Sequence, residues 1–181
     1  LSSSQLYLTD ANLVGVQGVA LGEGGRPLYG SVNAANGNAS PARVDAGFAQ
    51  AIEYGNSRSA QALLLSTMLR QVLGPVALEA SYTYSRSEDR LSSVRSQPRQ
   101  MLGFAPLDGT LEDRTLTRSY FDRPHKVVLT GSARLPLGIQ LALVYIGVSG
   151  GPFTYTVNGD ANADGFGGGG QRGNNDVIYV P

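Results

Sequence analysis

The sequence predicts an all-β protein: a segment of an antiparallel transmembrane β-barrel, about four to five strands, with long extracellular loops. Three observations carry that expectation. Two stretches, near 60–87 and 125–149, read as hairpins whose strands are about ten residues long, several of them alternating apolar and polar residues with period two. Both hairpins turn tightly at one end and open at the other into long polar loops, near 9–48, 88–122 and 150–176, the pattern of an outer-membrane barrel. Charge is also scarce: 15% of the 181 residues are Asp, Glu, Lys or Arg, against about 25% in soluble domains.

Along the chain, part of a first strand is expected at 5–8, followed by a loop rich in Gly and Asn (Gly22, Gly24, Gly25, Asn33, Asn36, Gly37, Asn38). The stretch 61–71, QALLLSTMLRQ, contains good helix formers, but Gly74-Pro75 punctuates it and the next segment offers a partner, so a strand is expected. That next segment has Val76, Leu78, Ala80, Tyr82 and Tyr84 on one face and Ala77, Glu79, Ser81, Thr83 and Ser85 on the other. A charged loop follows, with thirteen of the twenty-eight charged residues between Arg86 and Arg123. The second hairpin places Val127, Leu129, Gly131, Ala133 and Leu135 opposite Lys126, Val128, Thr130, Ser132 and Arg134, turns at Pro136-Leu137-Gly138, and returns through 139–149, apolar on nearly every position. Loops beyond about 12–15 residues are rare in compact domains, which argues against a simple sandwich. Membrane barrels need at least eight strands, so the chain is expected to be a fragment of a larger barrel. No leader is visible after Leu1; processing or fragmentation would account for that.

Composition removes several functions. Fourteen acidic and fourteen basic residues cancel, leaving no electrostatic case for nucleic acid. No cysteine is present, which excludes disulfides, thiolate metal sites and cysteine nucleophiles. The apolar runs fall far short of the ~20 residues of a membrane helix.

The candidate residues follow from the pattern. On the polar faces Glu79, Ser81, Thr83, Lys126, Thr130, Ser132 and Arg134 are expected to face a water-filled lumen. Asp122, Pro124 and His125 are expected to shape the passage from loop to strand, with Pro124 at a strand beginning where its missing N–H is tolerated. His125 is the only histidine, but nothing fixes a serine beside it, and the pairs Glu88-Asp89 and Glu112-Asp113 lie in a charged loop; no enzyme is expected. Gly167 to Gly170 lack the following Lys of a phosphate loop. Asp160, Asn162 and Asp164 alternate as oxygen donors ahead of Gly165, like the first half of a calcium loop, though Gln171 stands where an EF-hand carries Glu. A weak calcium site completed by Asp176 or a main-chain carbonyl such as that of Phe166 stands beside a plain turn cluster. No other cofactor is expected. Tyr82, Tyr84, Tyr145, Tyr120 and Phe121 suit an aromatic girdle.

Three stretches, in order, resemble one family. Ser81-Tyr82-Thr83-Tyr84-Ser85-Arg86-Ser87-Glu88-Asp89 is similar to a strand end of TonB-dependent outer-membrane receptors, more specifically the Oar-like ones with a carboxypeptidase-regulatory-like domain. Asp122-Arg123-Pro124-His125-Lys126 followed by Leu135-Pro136-Leu137-Gly138 resembles a hairpin of the same receptors. Ser149-Gly150-Gly151-Pro152-Phe153-Thr154, Asp160-Ala161-Asn162-Ala163-Asp164-Gly165 and Asn175-Asp176 resemble a third segment, with Phe153 where the family usually has Tyr and Val177 where Arg is common. The resemblance spans roughly 42–181. It implies the C-terminal part of a barrel in the outer membrane of a Gram-negative bacterium, in contact with outer-membrane lipid and importing an unknown extracellular substrate. The plug domain of the same chain and the segment that contacts TonB would lie upstream. Two other classes stay open: a secreted calcium-dependent β-sandwich binding module, and a passive porin-like barrel.

Overall fold

Alternating residues make strands, and tight turns pair them. A computed structural model describes residues 2–92, 95–168 and 173–180, and for 2–5 and 57–59 the backbone alone. The strands are β1 (Ser2–Asp10), β2 (Gly18–Ala20), β3 (Arg26–Leu28), β4 (Gly30–Val32), β5 (Ala39–Pro41), β6 (Ile52–Leu73), β7 (Val76–Asp89), β8 (Thr117–Arg118), β9 (His125–Arg134) and β10 (Gln140–Val148). One α-helix, α1 (Pro98–Phe104), lies between β7 and β8. The protein is mostly β, and every strand pair is antiparallel.

The long strands form one sheet in the order β1-β6-β7-β9-β10, with β8 beside the far end of β7. Residues 60–72, where helix formers abound, lie inside β6: thirteen consecutive residues pair with β7, from Gln61↔Glu88 to Leu73↔Val76. Tertiary pairing overrides helix propensity there. Gly74 opens the two-residue turn at φ +58°, a backbone geometry that favours glycine. The second hairpin turns through Pro136–Gly138, with Leu137 at φ +67°.

Register separates two faces. One row reads Leu69, Ala80, Leu129, Tyr145; the adjacent row, on the opposite face, reads Arg70, Glu79, Thr130, Val144. Glu79 and Ser81 on β7 pair with Thr130 and Val128, Thr83 with Lys126, and Ala77 with Ser132; Arg134 stands two residues beyond Ser132. The seven polar residues singled out from the sequence therefore share one face. That face is not purely polar, since Met68, Val128 and Val144 lie on it too.

Both faces are open. Neighbouring residues, which point to opposite sides, are exposed alike: Met68 and Leu69 at 67% and 71%, Leu143 and Val144 at 71% and 61%. Among the described residues no second sheet covers either face, and no barrel closes. β1 reaches only residues 52–61 of β6, so 62–73 have a neighbour on one side alone.

The buried apolar residues instead gather at the end of the sheet away from the tight turns. Leu8, Leu91, Met101, Leu102, Ala105 and Phe166 form one cluster, with Tyr7 and Ile52 against it; Leu13, Tyr29, Leu107 and Leu111 form a second. The long loops are thus folded into a cap. The loop 9–48 holds the ribbons β2–β3 and β4–β5, and the loop 88–122 holds α1 and β8. α1 begins on Pro98, whose fixed φ and missing N–H suit a first helical turn, and buries Met101 and Leu102. Among the described residues no helix is long and apolar enough to cross a membrane.

Candidate functional site

The cap stands on a hinge built from the residues around Asp122. Asp122 is buried, and its Oδ1 accepts the Ser87 N–H at 3.0 Å while Oδ2 accepts Arg118 Nε at 3.0 Å and Nη2 at 2.8 Å. One carboxylate therefore ties the upper end of β7 to the returning loop. Pro124 directly precedes β9, and its carbonyl accepts the Ser85 N–H at 3.0 Å. His125 opens β9, stacks on Tyr82 with centroids 6.1 Å apart, and lies 2.8 Å through Nδ1 from the Tyr82 hydroxyl. Its main chain binds Ser149 at both ends: His125 N–H donates to Ser149 Oγ at 3.0 Å, and Ser149 N–H donates to the His125 carbonyl at 2.8 Å. The three residues brought together by sequence are together in space, at the point where loop becomes strand.

Above the hinge, long-range hydrogen bonds clamp the three loops. The Tyr29 hydroxyl accepts the Leu111 N–H at 2.6 Å and donates to Glu112 Oε2 at 3.2 Å. Tyr7 donates to the Leu111 carbonyl at 2.9 Å and accepts the Arg114 N–H at 3.1 Å. Tyr29 N–H donates to the Asn162 carbonyl at 2.8 Å, and Leu107 N–H to the Asn175 carbonyl at 2.7 Å. Burial pushes the Tyr29 phenol well above its ordinary value. Arg114, one of the thirteen charges of the 86–123 stretch, is only 1% exposed. Burial lowers its guanidinium, and the nearby Tyr7 and Asp164 oppose that. Its Nη1 reaches the carbonyls of Ala105 and Pro106 at 3.3 and 3.4 Å, and its Nε and Nη2 meet no acceptor.

Of Asp160, Asn162 and Asp164, the last interacts electrostatically with this buried arginine. Asp160 Oδ1 accepts the Asp164 N–H at 3.0 Å and Oδ2 the Gly165 N–H at 2.8 Å. Asn162 Oδ1 accepts the same Asp164 N–H at 3.0 Å. Asp164 Oδ1 accepts the Phe166 N–H at 2.8 Å, and its Oδ2 receives Asn175 Nδ2 at 2.7 Å and Asn162 Nδ2 at 3.2 Å. Gly165, at φ +90°, lets the chain turn through these bonds. Asp176 accepts the Ala161 N–H at 2.7 Å and pairs with Arg26 Nη1 at 3.3 Å. Removal from water, followed by repulsion from Asp164, raises the Asp160 carboxyl to about 6 and the Asp176 carboxyl to about 7. Among the described residues no three His, Cys, Asp or Glu side chains converge as metal ligands. The donor set here is mixed: carboxylates interleaved with the amides of Asn162 and Asn175. Gln171 and the end of the glycine run, within 169–172, lie outside the described residues.

Between the cap and the hinge lies a cavity of about 470 Å³, lined among others by Leu91, Phe104, Arg118, Tyr120 and Phe153. Sequence reasoning expected Tyr120 in an aromatic girdle and named Phe153 only within a motif, and it missed Phe104, which α1 delivers. It also missed Tyr7, Tyr29 and Arg114. Their partners are 82 to 107 positions away for the tyrosines, and only burial distinguishes Arg114 from its charged neighbours. The signal for α1 was present in PRQMLGF, with Pro at the first turn and Met101 and Leu102 together.

No protein-family model matches this chain, and no curated protein or solved structure matches it either.

Proposed function

We propose that the chain is part of an outer-membrane TonB-dependent receptor of the Oar-like kind, a barrel that binds an extracellular substrate and imports it. One observation supports the barrel, and the receptor kind rests on the resemblance of the three motifs. The long strands expose apolar side chains on a sheet that nothing among the described residues covers, while the buried core lies in the loops at one end. In water such a sheet leaves a large apolar area unpaid. In a bilayer the row Leu69, Ala80, Leu129, Tyr145 meets lipid, and the opposite row, with Arg70, Glu79 and Thr130, meets a wet lumen. The free edges of β10 and of β6 at 62–73 are then taken by further strands, because a backbone edge cannot stay open in hydrocarbon.

β6 fits the same frame. Its 22 residues extend about 70 Å at ~3.3 Å each, and an apolar band ~25 Å tall crossed at ~40° uses roughly ten of them. The half toward Leu73 crosses; the half toward Ile52 stands above the surface, pairs with β1 and supports the cap. Glu79, Ser81, Thr83, Lys126, Thr130, Ser132 and Arg134 then border the lumen, where a plug domain of the same chain sits, and TonB is reached through that upstream part. The cap and its cavity form an outer vestibule for the substrate. The role proposed for the chain is binding and transport, with no catalysis.

The test is cold against heated gel migration of the full-length protein from outer-membrane fractions. A folded band that shifts on heating is expected; a protein that stays in the soluble fraction and shows no shift would overturn the barrel. A passive pore would give the same gel, so a second arm removes TonB: uptake is then expected to stop, and uptake that continues would favour the pore.

A further inference from the structure

We propose that Asp160, Asn162, Asp164 and Asn175 hold a calcium ion that locks the third loop onto the other two. The acidic pair alone would be an ordinary turn cluster; Asn175 makes the difference. Asn175 is fully buried (0% exposed), and its amide points at Asp164, with Nδ2 2.7 Å from Oδ2. Its carbonyl oxygen, Oδ1, is enclosed as well and meets no hydrogen-bond donor. Rotating the amide does not cure this. The two amide atoms exchange places, and the oxygen then faces a carboxylate oxygen, an arrangement that a cation between them makes favourable. With the amide so turned, an enclosed carbonyl oxygen and a carboxylate oxygen stand together, the oxygen types that calcium takes.

The rest of the donor set agrees. Calcium takes six to eight oxygens from carboxylates, amide carbonyls and main-chain carbonyls, in flexible geometry. Asp160, Asn162 and Asp164 supply the first, third and fifth positions of such a loop, Gly165 the sharp turn, and Phe166 stands where the main-chain carbonyl falls. Both Asp160 oxygens and Asp164 Oδ1 accept N–H groups in the turn, and Asp164 Oδ2, which receives two amide N–H groups, regains a lone pair for a cation once the Asn175 amide turns over. The positive groups already present do not complete the site: Arg26 is engaged by Asp176 and Glu23, Arg43, whose guanidinium borders Gly165, pairs with Asp10, and Arg114 carries a single diffuse charge on a side chain whose Nη1 turns to the Ala105 carbonyl. The Asn162 carbonyl takes the Tyr29 N–H and the Asn175 carbonyl takes the Leu107 N–H, so an ion gathering these two side chains fastens loop 150–176 to both other loops.

The site stands apart from the barrel reading, since it lies wholly in the cap. The probes are calcium and terbium added to the full-length protein. Tyr29, whose main chain touches Asn162, serves as the sensitiser of terbium emission. Tyrosine-excited terbium emission is expected, displaced by calcium at about 10⁻⁴–10⁻³ M. Asn162→Ala and Asn175→Ala should each weaken that displacement at least about tenfold, while Glu23→Gln, elsewhere in the cap, leaves it unchanged. If a variant loses its heat-shifted band, the wild-type protein decides instead: calcium, and not magnesium, is expected to slow proteolysis within 149–180. No sensitised emission, emission unaffected by Asn175→Ala in a folded variant, or no protection by calcium would overturn the site and leave the gel shift untouched.

Discussion

Arginine placed on either side of one β-strand gives the sharpest contrast the sheet allows. Leu129 pairs with Ala80, and four residues along β7 in either direction lie the pairs Val76↔Ala133 and Tyr84↔His125, the last before the turn and before the cap. At ~3.3 Å per residue the Leu129 position lies ~13 Å along the strand from both, or roughly 10 Å in depth at ~40° tilt, close to the middle of a ~25 Å band. Leu129→Arg would therefore bury a guanidinium near the bilayer midplane, a cost of about 2–4 kcal/mol, or about 30- to 1,000-fold in the folding equilibrium. Thr130→Arg puts the same charge on the lumen side of the same strand, where the change is expected within about 0.5 kcal/mol. In water the two substitutions would look alike, because Leu129 is already 44% exposed and an exposed site tolerates arginine. The assay is a urea titration of the full-length protein in phospholipid vesicles, following the folded band on unheated gels. A midpoint lowered for Leu129→Arg and held for Thr130→Arg is expected. Equal midpoints for both would refute the assignment of faces.

Other outcomes follow from the cap and its hinge. Tyr29→Phe leaves the buried Leu111 N–H without its acceptor and should cost the cap about 1–3 kcal/mol, read as faster protease cleavage of the loops on intact cells. Because burial raises the Tyr29 phenol, the folded cap favours its neutral form. Its contribution is therefore complete below the unfolded value of about 10 and is lost as pH climbs above it. Protease sensitivity should rise as pH climbs above about 10, and less steeply in Tyr29→Phe; an identical rise in both proteins would contradict it. Leu102→Ala, at a fully buried position of α1, should destabilise the cap by about 2–5 kcal/mol, measured by hydrogen exchange of the α1 amides. Asp122→Ala removes the acceptor of the Ser87 N–H and should speed exchange of that amide by roughly tenfold or more, leaving Ala80 unchanged.

What was legible in the sequence depended on range. Period-two alternation and the turns Gly74-Pro75 and Pro136–Gly138 are local, so both hairpins and the grouping of Glu79, Ser81 and Thr83 opposite Leu78 and Ala80 could be read directly. β1 was visible only at 5–8, because its pairing with β6 spans some fifty residues and includes an irregularity between Ser3 and Gln5. The loops were read as polar connections from composition. Their order comes instead from partners far apart in the chain: Tyr7 with Leu111, Tyr29 with Leu111 and Asn162, Leu107 with Asn175. Arg114 shows the limit most plainly. Charge type predicts a solvated side chain, and only the enclosing loops make it a buried one. Asp122, Pro124 and His125 were identifiable by position before a strand, but not the bond from Asp122 to Ser87, which needs the β7 register.

The direct test of the barrel lies in residues 76–85. Residues 1–181 hold no cysteine, so once any cysteine elsewhere is changed to serine, single cysteines can be placed one at a time along β7 in the full-length protein in its membrane. The expected result is a period of two: 76, 78, 80, 82 and 84 quenched by lipid-borne probes and shielded from a charged maleimide, and 77, 79, 81, 83 and 85 the reverse. Uniform labelling of both sets by the charged reagent, with no lipid quenching at 78 or 80, would contradict a membrane-spanning sheet.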